Sequence, residues 1–258
     1  MTHVLRLSAL GTRLDVRCTG ERADVMAASM QVAWSRCLVE DGAATPPQAR
    51  TAPPVEARLD DADDLAGRLM LTTQDVTRAL IRARVGTLLM LHAGAVSDPV
   101  TGRSLVYVAA GGTGKTTLSS RLGRRFGYLT DETVGVDEDG GILPYPKPLS
   151  VRRPDGTGPK DEVSPDTLGL LPAHPRPHVA RVVLLDRQVD AAAHGMEEVG
   201  FMDALFALTE QSSSLPSLHQ PLQRLARFID ATGPVLRVRY AESADIEPDL
   251  AGLIAGAR

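Results

Sequence analysis

Residues 105–118 read LVYVAAGGTGKTTL, and how this stretch is understood decides the fold. An apolar run of strand character passes into three glycines and then into a helix-forming segment that opens with Lys115, Thr116 and Thr117. A strand that runs through a glycine turn into a helix aims several backbone N–H groups, and the positive end of the helix dipole, at one point, which makes an anion site. Lys115 adds a full positive charge there, and the Thr116 hydroxyl can face a magnesium ion. The usual phosphate-loop pattern places a further glycine six residues before the lysine, where this chain has Ala109. That position ends the strand, where alanine fits if its φ is negative, whereas Gly112 and Gly114 hold the places nearest the phosphates. Gly111, Gly112, Thr113, Gly114, Lys115, Thr116 and Thr117 therefore read as the nucleotide-binding loop, against the blander reading of a glycine turn with a stray lysine.

Bulk properties narrow the classes. With 258 residues the chain can bury one large core, or a small domain beside a larger one. A net charge of −4 gives no basic footprint, so nucleic acid is not an expected partner. The only lysines are Lys115, Lys147 and Lys160, the other basic residues being arginine, which singles out the positions that keep lysine. Cys18 and Cys37 stand far apart without a companion His/Cys cluster, which argues against a disulfide framework and a zinc site and suggests buried thiols in a reducing compartment. The N-terminal MTHVLRLSALGTRL has no basic start followed by an apolar segment, and no apolar run reaches the roughly 18 residues of a membrane span. A cytoplasmic protein without a membrane partner is expected. The chain contains no asparagine, so the N-K-x-D element that reads guanine is missing. A nucleoside-triphosphate-dependent phosphotransferase, or an ATPase used as a switch, remains.

Outward from the loop the chain divides in two. Residues 3–18 alternate around Gly11 as a hairpin, and ADVMAASMQVAWSRCLV places Met26, Met30, Ala33, Trp34 and Cys37 on one helical face. GAATPPQARTAPPVEA reads as a surface loop or linker, and QDVTRALIRARVGTLL as an amphipathic helix leading into the main domain. From there LHAGAV and SLVYVAA pair across SDPVTG, GYLTDE is a strand, and TVGVDEDGGILPY is a hairpin. ARVVLLD is a buried strand, FMDALFALTEQ and PLQRLARFIDA are helices, and VLRVRY is a closing strand. The expected fold is α/β with a mixed sheet, divided into a small α+β N-terminal region over residues 1–80 and a P-loop domain over 81–258.

Two flanking elements bear on the chemistry. LMLHAGAV carries His92 one strand before the loop, and YLTDETV carries Asp131 and Glu132 at a strand end after the loop helix. A carboxylate so placed can bind Mg²⁺ or take the proton from an attacking hydroxyl. Each has a bland alternative, a turn residue for Asp131 and a structural histidine for His92.

The order His92-Ala-Gly-Ala-Val, AAGGTGKTTLSSRL, YLTDETV and PYPKPLSVR resembles the HPr kinase/phosphorylase-like P-loop kinases, related in fold to the ATP-dependent phosphoenolpyruvate carboxykinases. It is most similar to the shorter bacterial members associated with biosynthesis of modified peptides, including lasso peptides. The resemblance covers residues 88–153 best. It implies ATP and Mg²⁺ as cofactors, phosphates held over Gly112 to Thr117, Asp131 as general base, and His92 beside the reacting groups. Thr116, Asp131 and Glu132 would hold the metal, with Glu132 standing where the family has a second aspartate. Lys147 matches a recurring lysine, read as a contact to phosphate or acceptor. The family's E-I-R-G-x-G signature is not reproduced by SVRRPDGTGPK, so HPr itself and the reverse phosphorolysis are not implied.

Arg152 and Arg153 are candidates for clamping a phosphate or carboxylate, or belong to a solvated turn. TEQSSSLPS reads as a mobile lid or an ordinary loop, the histidines of LPAHPRPHVAR as loop residues, and Arg121, Arg124 and Arg125 as an exposed helix side. The expected function is an ATP- and Mg²⁺-dependent kinase acting on a hydroxyl, serine or threonine of a peptide or protein. An ATP-binding regulator without transfer, and a kinase of a small hydroxylated metabolite, stay open, as does a homo-oligomer.

Overall fold

The computed structural model describes residues 2–39, 49–188 and 195–256. In chain order the elements are β1 (His3–Ala9), β2 (Thr12–Thr19), α1 (Ala23–Ala33), β3 (Arg50–Thr51), β4 (Val55–Arg58) and α2 (Leu65–Arg84). Then come β5 (Leu89–Ser97), β6 (Arg103–Val108), α3 (Lys115–Leu122), β7 (Gly127–Thr130), β8 (Thr133–Val136), β9 (Ile142–Leu143), β10 (Leu149–Val151) and β11 (Asp161–Val163). The chain ends with β12 (Leu171–Pro172), β13 (His178–Arg187), β14 (Gly195–Glu198), α4 (Phe201–Glu210), β15 (Ser212–Ser213), α5 (Pro221–Thr232), β16 (Leu236–Tyr240) and α6 (Ser243–Ala255). No described helix is long and apolar enough to cross a membrane.

Two units form. The first joins Met1–Arg84 to Tyr145–Gly169, and the second joins Val85–Pro144 to Leu170–Arg258. Residues 145–169, expected with the P-loop domain, group with the N-terminal residues instead. The physical reason is visible at Tyr145: its ring lies 6.3 Å from Trp34, its hydroxyl meets Thr77 Oγ1 at 2.7 Å, and it belongs to the N-terminal core.

In the first unit β1 and β2 pair antiparallel from His3↔Cys18 to Ala9↔Thr12. The two-residue turn uses Leu10 and Gly11, both at positive φ, which suits the twist of a tight hairpin. Alternate residues Leu5, Leu7, Leu14, Val16 and Cys18 face the core against Met26, Met30 and Trp34. Helix α1 stops at Ala33, and a 3₁₀ turn carries Cys37 inward. The Pro/Ala-rich stretch differs from the expected loop: residues 42–48 lie outside the described residues, while β3 and β4 pair parallel with β2. Val55 and Ala57 are buried in that ladder, and Pro53 and Pro54 fall between the two strands, where a missing N–H removes no ladder bond. Helix α2 starts earlier than expected because Asp64 caps it, Gly67 N–H donating to Asp64 Oδ2 at 2.9 Å.

The second unit is a ten-stranded mixed sheet, in the order β12-β7-β5-β6-β13-β16-β14, with β8 and β15 also paired to β5 and β9 to β8. Strands β6, β13 and β16 run parallel, whereas β5 runs antiparallel to β6, β7 and β8. Period-two alternation splits the side chains between two faces. Val106, Val108, Val182 and Leu184 join the core that includes residues of α4 and α5, while Leu105, Tyr107, Val183 and Leu185 join the core that includes residues of α3 and α6. Helix α6 was not legible in the sequence pattern. It holds Pro248 inside and starts from a capping box in which Glu242 and Asp245 bond each other's backbone N–H.

Candidate functional site

The glycine loop leaves the C-terminal end of β6 and enters α3. Its neighbours follow from the sheet: β5 is antiparallel to β6 and β7, with Ala93 opposite Val108 and Ala95 opposite Thr130. The middle of β5 therefore lies beside the C-terminal ends of both strands. That register puts His92 next to the loop and next to Asp131, which follows Thr130 directly.

Ala109 is buried and is not among the residues at positive φ, so it ends the strand without needing glycine. Gly112 at φ +84° and Gly114 at φ +101° adopt the left-handed region that an L side chain resists. A Cβ at Gly111 or Gly112 would meet nothing within 4 Å, so the loop faces open space on that side. Gly114 caps α3, and no side chain satisfies the helix's first amides. Uncapped amides, an open cradle and left-handed glycines together fit a phosphate group.

Lys115 is 7% exposed, and its ammonium folds back over the start of the loop. It donates to Ala109 O at 2.6 Å and Ala110 O at 3.1 Å, and lies 3.1 Å from His92 Nε2. An ammonium only donates, so Nε2 is the acceptor and His92 is neutral with its proton on Nδ1. Burial, and then the Lys115 charge, hold the His92 pKa below its ordinary value, the nearby Glu132 and Asp131 pulling the other way. Burial also lowers Lys115 to about 8, against the opposite pull of Asp131 and Glu132.

Asp131 is buried at the end of β7. Its Oδ2 accepts from Thr116 Oγ1 at 2.8 Å and its Oδ1 from the Tyr128 hydroxyl at 3.2 Å. A threonine hydroxyl that gives its proton to a carboxylate keeps its lone pairs for a cation, so this pair can form the protein side of a magnesium site. Among the described residues there is no group of three or more His, Cys, Asp or Glu that could hold a metal. A Mg²⁺ ion bound largely by phosphate oxygens and water needs no such cluster. Glu132 follows Asp131, and its carbonyl accepts from Ala93 N–H at 3.1 Å, tying the strand end to β5. Thr117 is exposed on the first turn of α3.

Several supporting residues have no motif. All four tyrosines are fully buried, and three of them hold this site. Tyr240, at the end of β16, donates to Thr113 O at 2.7 Å and fixes the loop from the neighbouring parallel strand. Tyr107 bonds Ser119 Oγ of α3 at 2.6 Å, and Tyr128 holds Asp131. Gly94 is required because a Cβ there would strike the Tyr107 ring. The only available signal was a tyrosine at each strand end or centre in a chain with 3% aromatic residues.

TEQSSSLPS, considered as a lid or loop, is tied to β5 through Ser212 and Ser213, and the His92 N–H donates to Gln211 O at 2.7 Å. His174 accepts from Arg176 N–H within its loop. Arg121 pairs with Glu247, and Arg125 lies 5.4 Å over the Phe126 ring. Lys147, Arg152 and Arg153 belong to the other unit. Lys147 is 1% exposed there and donates to Pro148 O at 2.8 Å. Arg153 bonds Asp161 Oδ1 at 3.0 Å, and Arg152 is exposed.

The chain matches no protein-family model and no curated protein. Among solved structures it is similar to the Hpr(Ser) kinase/phosphatase from Coxiella burnetii, at 12% identity and a TM-score of 0.33, over 65% of this chain and 94% of that one. At those values the likeness carries nothing about activity, and the reading of the site rests on its own residues.

Proposed function

We propose that the protein is an ATP- and Mg²⁺-dependent phosphotransferase that passes a phosphoryl group to a hydroxyl, serine or threonine of a peptide or protein. The observation that supports it most is the Thr116–Asp131 bond placed directly beneath an uncapped helix start, with Lys115 and His92 alongside. Loop amides from Gly112 to Thr117 would hold phosphate oxygens, and Lys115 would leave the Ala109 and Ala110 carbonyls to meet the charge that develops on them. Thr116, with Asp131 and Glu132, would hold the metal, which when bound neutralises phosphate charge and aligns the groups.

Asp131 would receive the hydroxyl proton on a carboxylate oxygen. One observation favours a second assignment: both oxygens of Asp131 already accept bonds, whereas His92 Nε2 is a neutral lone pair beside Lys115, freed when that lysine swings to phosphate. The pH profile of transfer separates the two, since loss below neutrality that disappears in His92→Asn assigns the proton to the imidazole. A peptide or protein in a modified-peptide pathway is the acceptor of this reading, and a free hydroxylated metabolite its alternative.

The test incubates the full chain with γ-labelled ATP, Mg²⁺ and serine-containing peptides, and reads one added phosphate by mass spectrometry. Transfer that fails in Asp131→Asn and Lys115→Met supports the reading. ATP binding without transfer to any hydroxyl would assign the protein to nucleotide-dependent regulation instead.

A further inference from the structure

The first unit contains a cleft of about 530 Å³ between the β10–β11 loop and the first turns of α2. Arg152, Arg153 and Lys160 line one side, and Asp64, Gly67 and Met70 the other. Three cations against one carboxylate run counter to the whole-chain charge of −4. The carboxylate is also engaged, since Asp64 Oδ2 caps α2 through Gly67 N–H. Elsewhere in this unit surface arginines pair with acids, as in Arg36–Asp166, Arg58–Asp60, Arg68–Asp63 and Arg78–Asp75. Within the cleft Arg153 is paired with Asp161, but Arg152 and Lys160 have no hydrogen-bond or ion-pair partner among the described residues. Lys160 is one of only three lysines, and the other two are buried.

We propose that this cleft binds a carboxylate-bearing peptide segment, one acid meeting Arg152 and a second meeting Lys160. Phosphate fits the loop less well. The Thr157 N–H donates to Asp155 Oδ1 at 3.0 Å, and Pro159 has no N–H, so two backbone donors that a phosphate nest would use are absent. What remains is two side-chain cations, on the residues next to the paired Val151 and Asp161, each able to meet one single-charge group, and a guanidinium fork matches a carboxylate. The volume lies in the range of clefts that bury drug-sized ligands, larger than one small acid needs, and Met70 supplies an apolar contact for the intervening chain. That the segment belongs to the phosphoryl acceptor rests on the kinase reading; the binding itself does not.

The test measures fluorescence polarisation of fluorescein-labelled hexaglutamate with the full chain, without nucleotide. Wild type should bind it and not hexaglutamine, with affinity falling as salt rises. Arg152→Gln with Lys160→Gln should weaken binding about tenfold or more, the thermal midpoint reporting that the variant folds. Lys115→Met should leave peptide binding intact while lowering phosphotransfer, so failure of phosphotransfer and failure of the cleft are read separately. Equal binding of both peptides, wild-type affinity in the double variant, or displacement by tripolyphosphate at lower concentration than by unlabelled hexaglutamate would each overturn the assignment.

Discussion

The chain writes Gly-Thr-Gly twice, at 112–114 and at 156–158, each followed closely by a lysine, and the two copies differ in everything that matters for phosphate. Both pairs of glycines sit at positive φ, +84° and +101° in the first and +69° and +71° in the second. In the first, a buried strand leads in, a helix leads out, Tyr240 pins the Thr113 carbonyl, and Lys115 is buried against the loop. In the second, the loop joins two short strands, Thr157 turns to Asp155, proline follows, and Lys160 is exposed. Left-handed glycines therefore make a bend, whereas an anion site also needs a helix start and a nearby cation, which the first copy has and the second, with no helix after it, does not.

The comparison is broken most severely at the lysines. Lys115→Met should reduce phosphotransfer by roughly 10² to 10³, about 3–4 kcal/mol of lost charge stabilisation, whereas Lys160→Met should leave ATP affinity unchanged. Steady-state transfer and ATP titrations check the two arms. A smaller effect is shared: Gly112→Ala and Gly156→Ala should each lower folding stability by about 1–2 kcal/mol in urea melts, because both place an L residue at positive φ where nothing obstructs the Cβ. Tyr240→Phe removes the bond to Thr113 and should cost about 1 kcal/mol, seen as roughly fivefold weaker ATP binding with the fold retained.

The smallest effect is a pH dependence. Lys115 drops from 10.5 in the unfolded chain to about 8 in the folded one, so between those values the unfolded state holds more protons and stability rises with pH. The gain is absent below about 8 and complete above 10.5. Relative to Lys115→Met, wild type should gain on the order of 1 kcal/mol across that window. Paired thermal melts from pH 7 to 11 read this difference.

The strand–glycine loop–helix geometry around Lys115 was legible because it is local in sequence. Gly112, Gly114, Lys115 and Thr116 fall within five residues, and Ala109 ends its strand without a positive φ. The surrounding support was not legible, because Tyr240, Tyr107 and Gly94 act through neighbours distant in sequence. Helix α6 escaped because Pro248, inside the helix, removes a backbone donor and interrupts the pattern that a helix normally shows. Residues 145–169 were assigned with the P-loop domain by chain continuity, whereas the burial of Tyr145 beside Trp34 decides their grouping. Lys147 carried a motif-level expectation of ligand contact, and in the structure it is enclosed with its amine on Pro148 O.

The most direct test of the central claim is calorimetric titration of Mg²⁺·ATP into the full chain and into Gly112→Ala and Gly156→Ala. The account predicts one binding event per wild-type chain, an affinity at least about tenfold weaker in Gly112→Ala, and wild-type affinity in Gly156→Ala. No binding by wild type, or equal affinities in the two glycine variants, would contradict it.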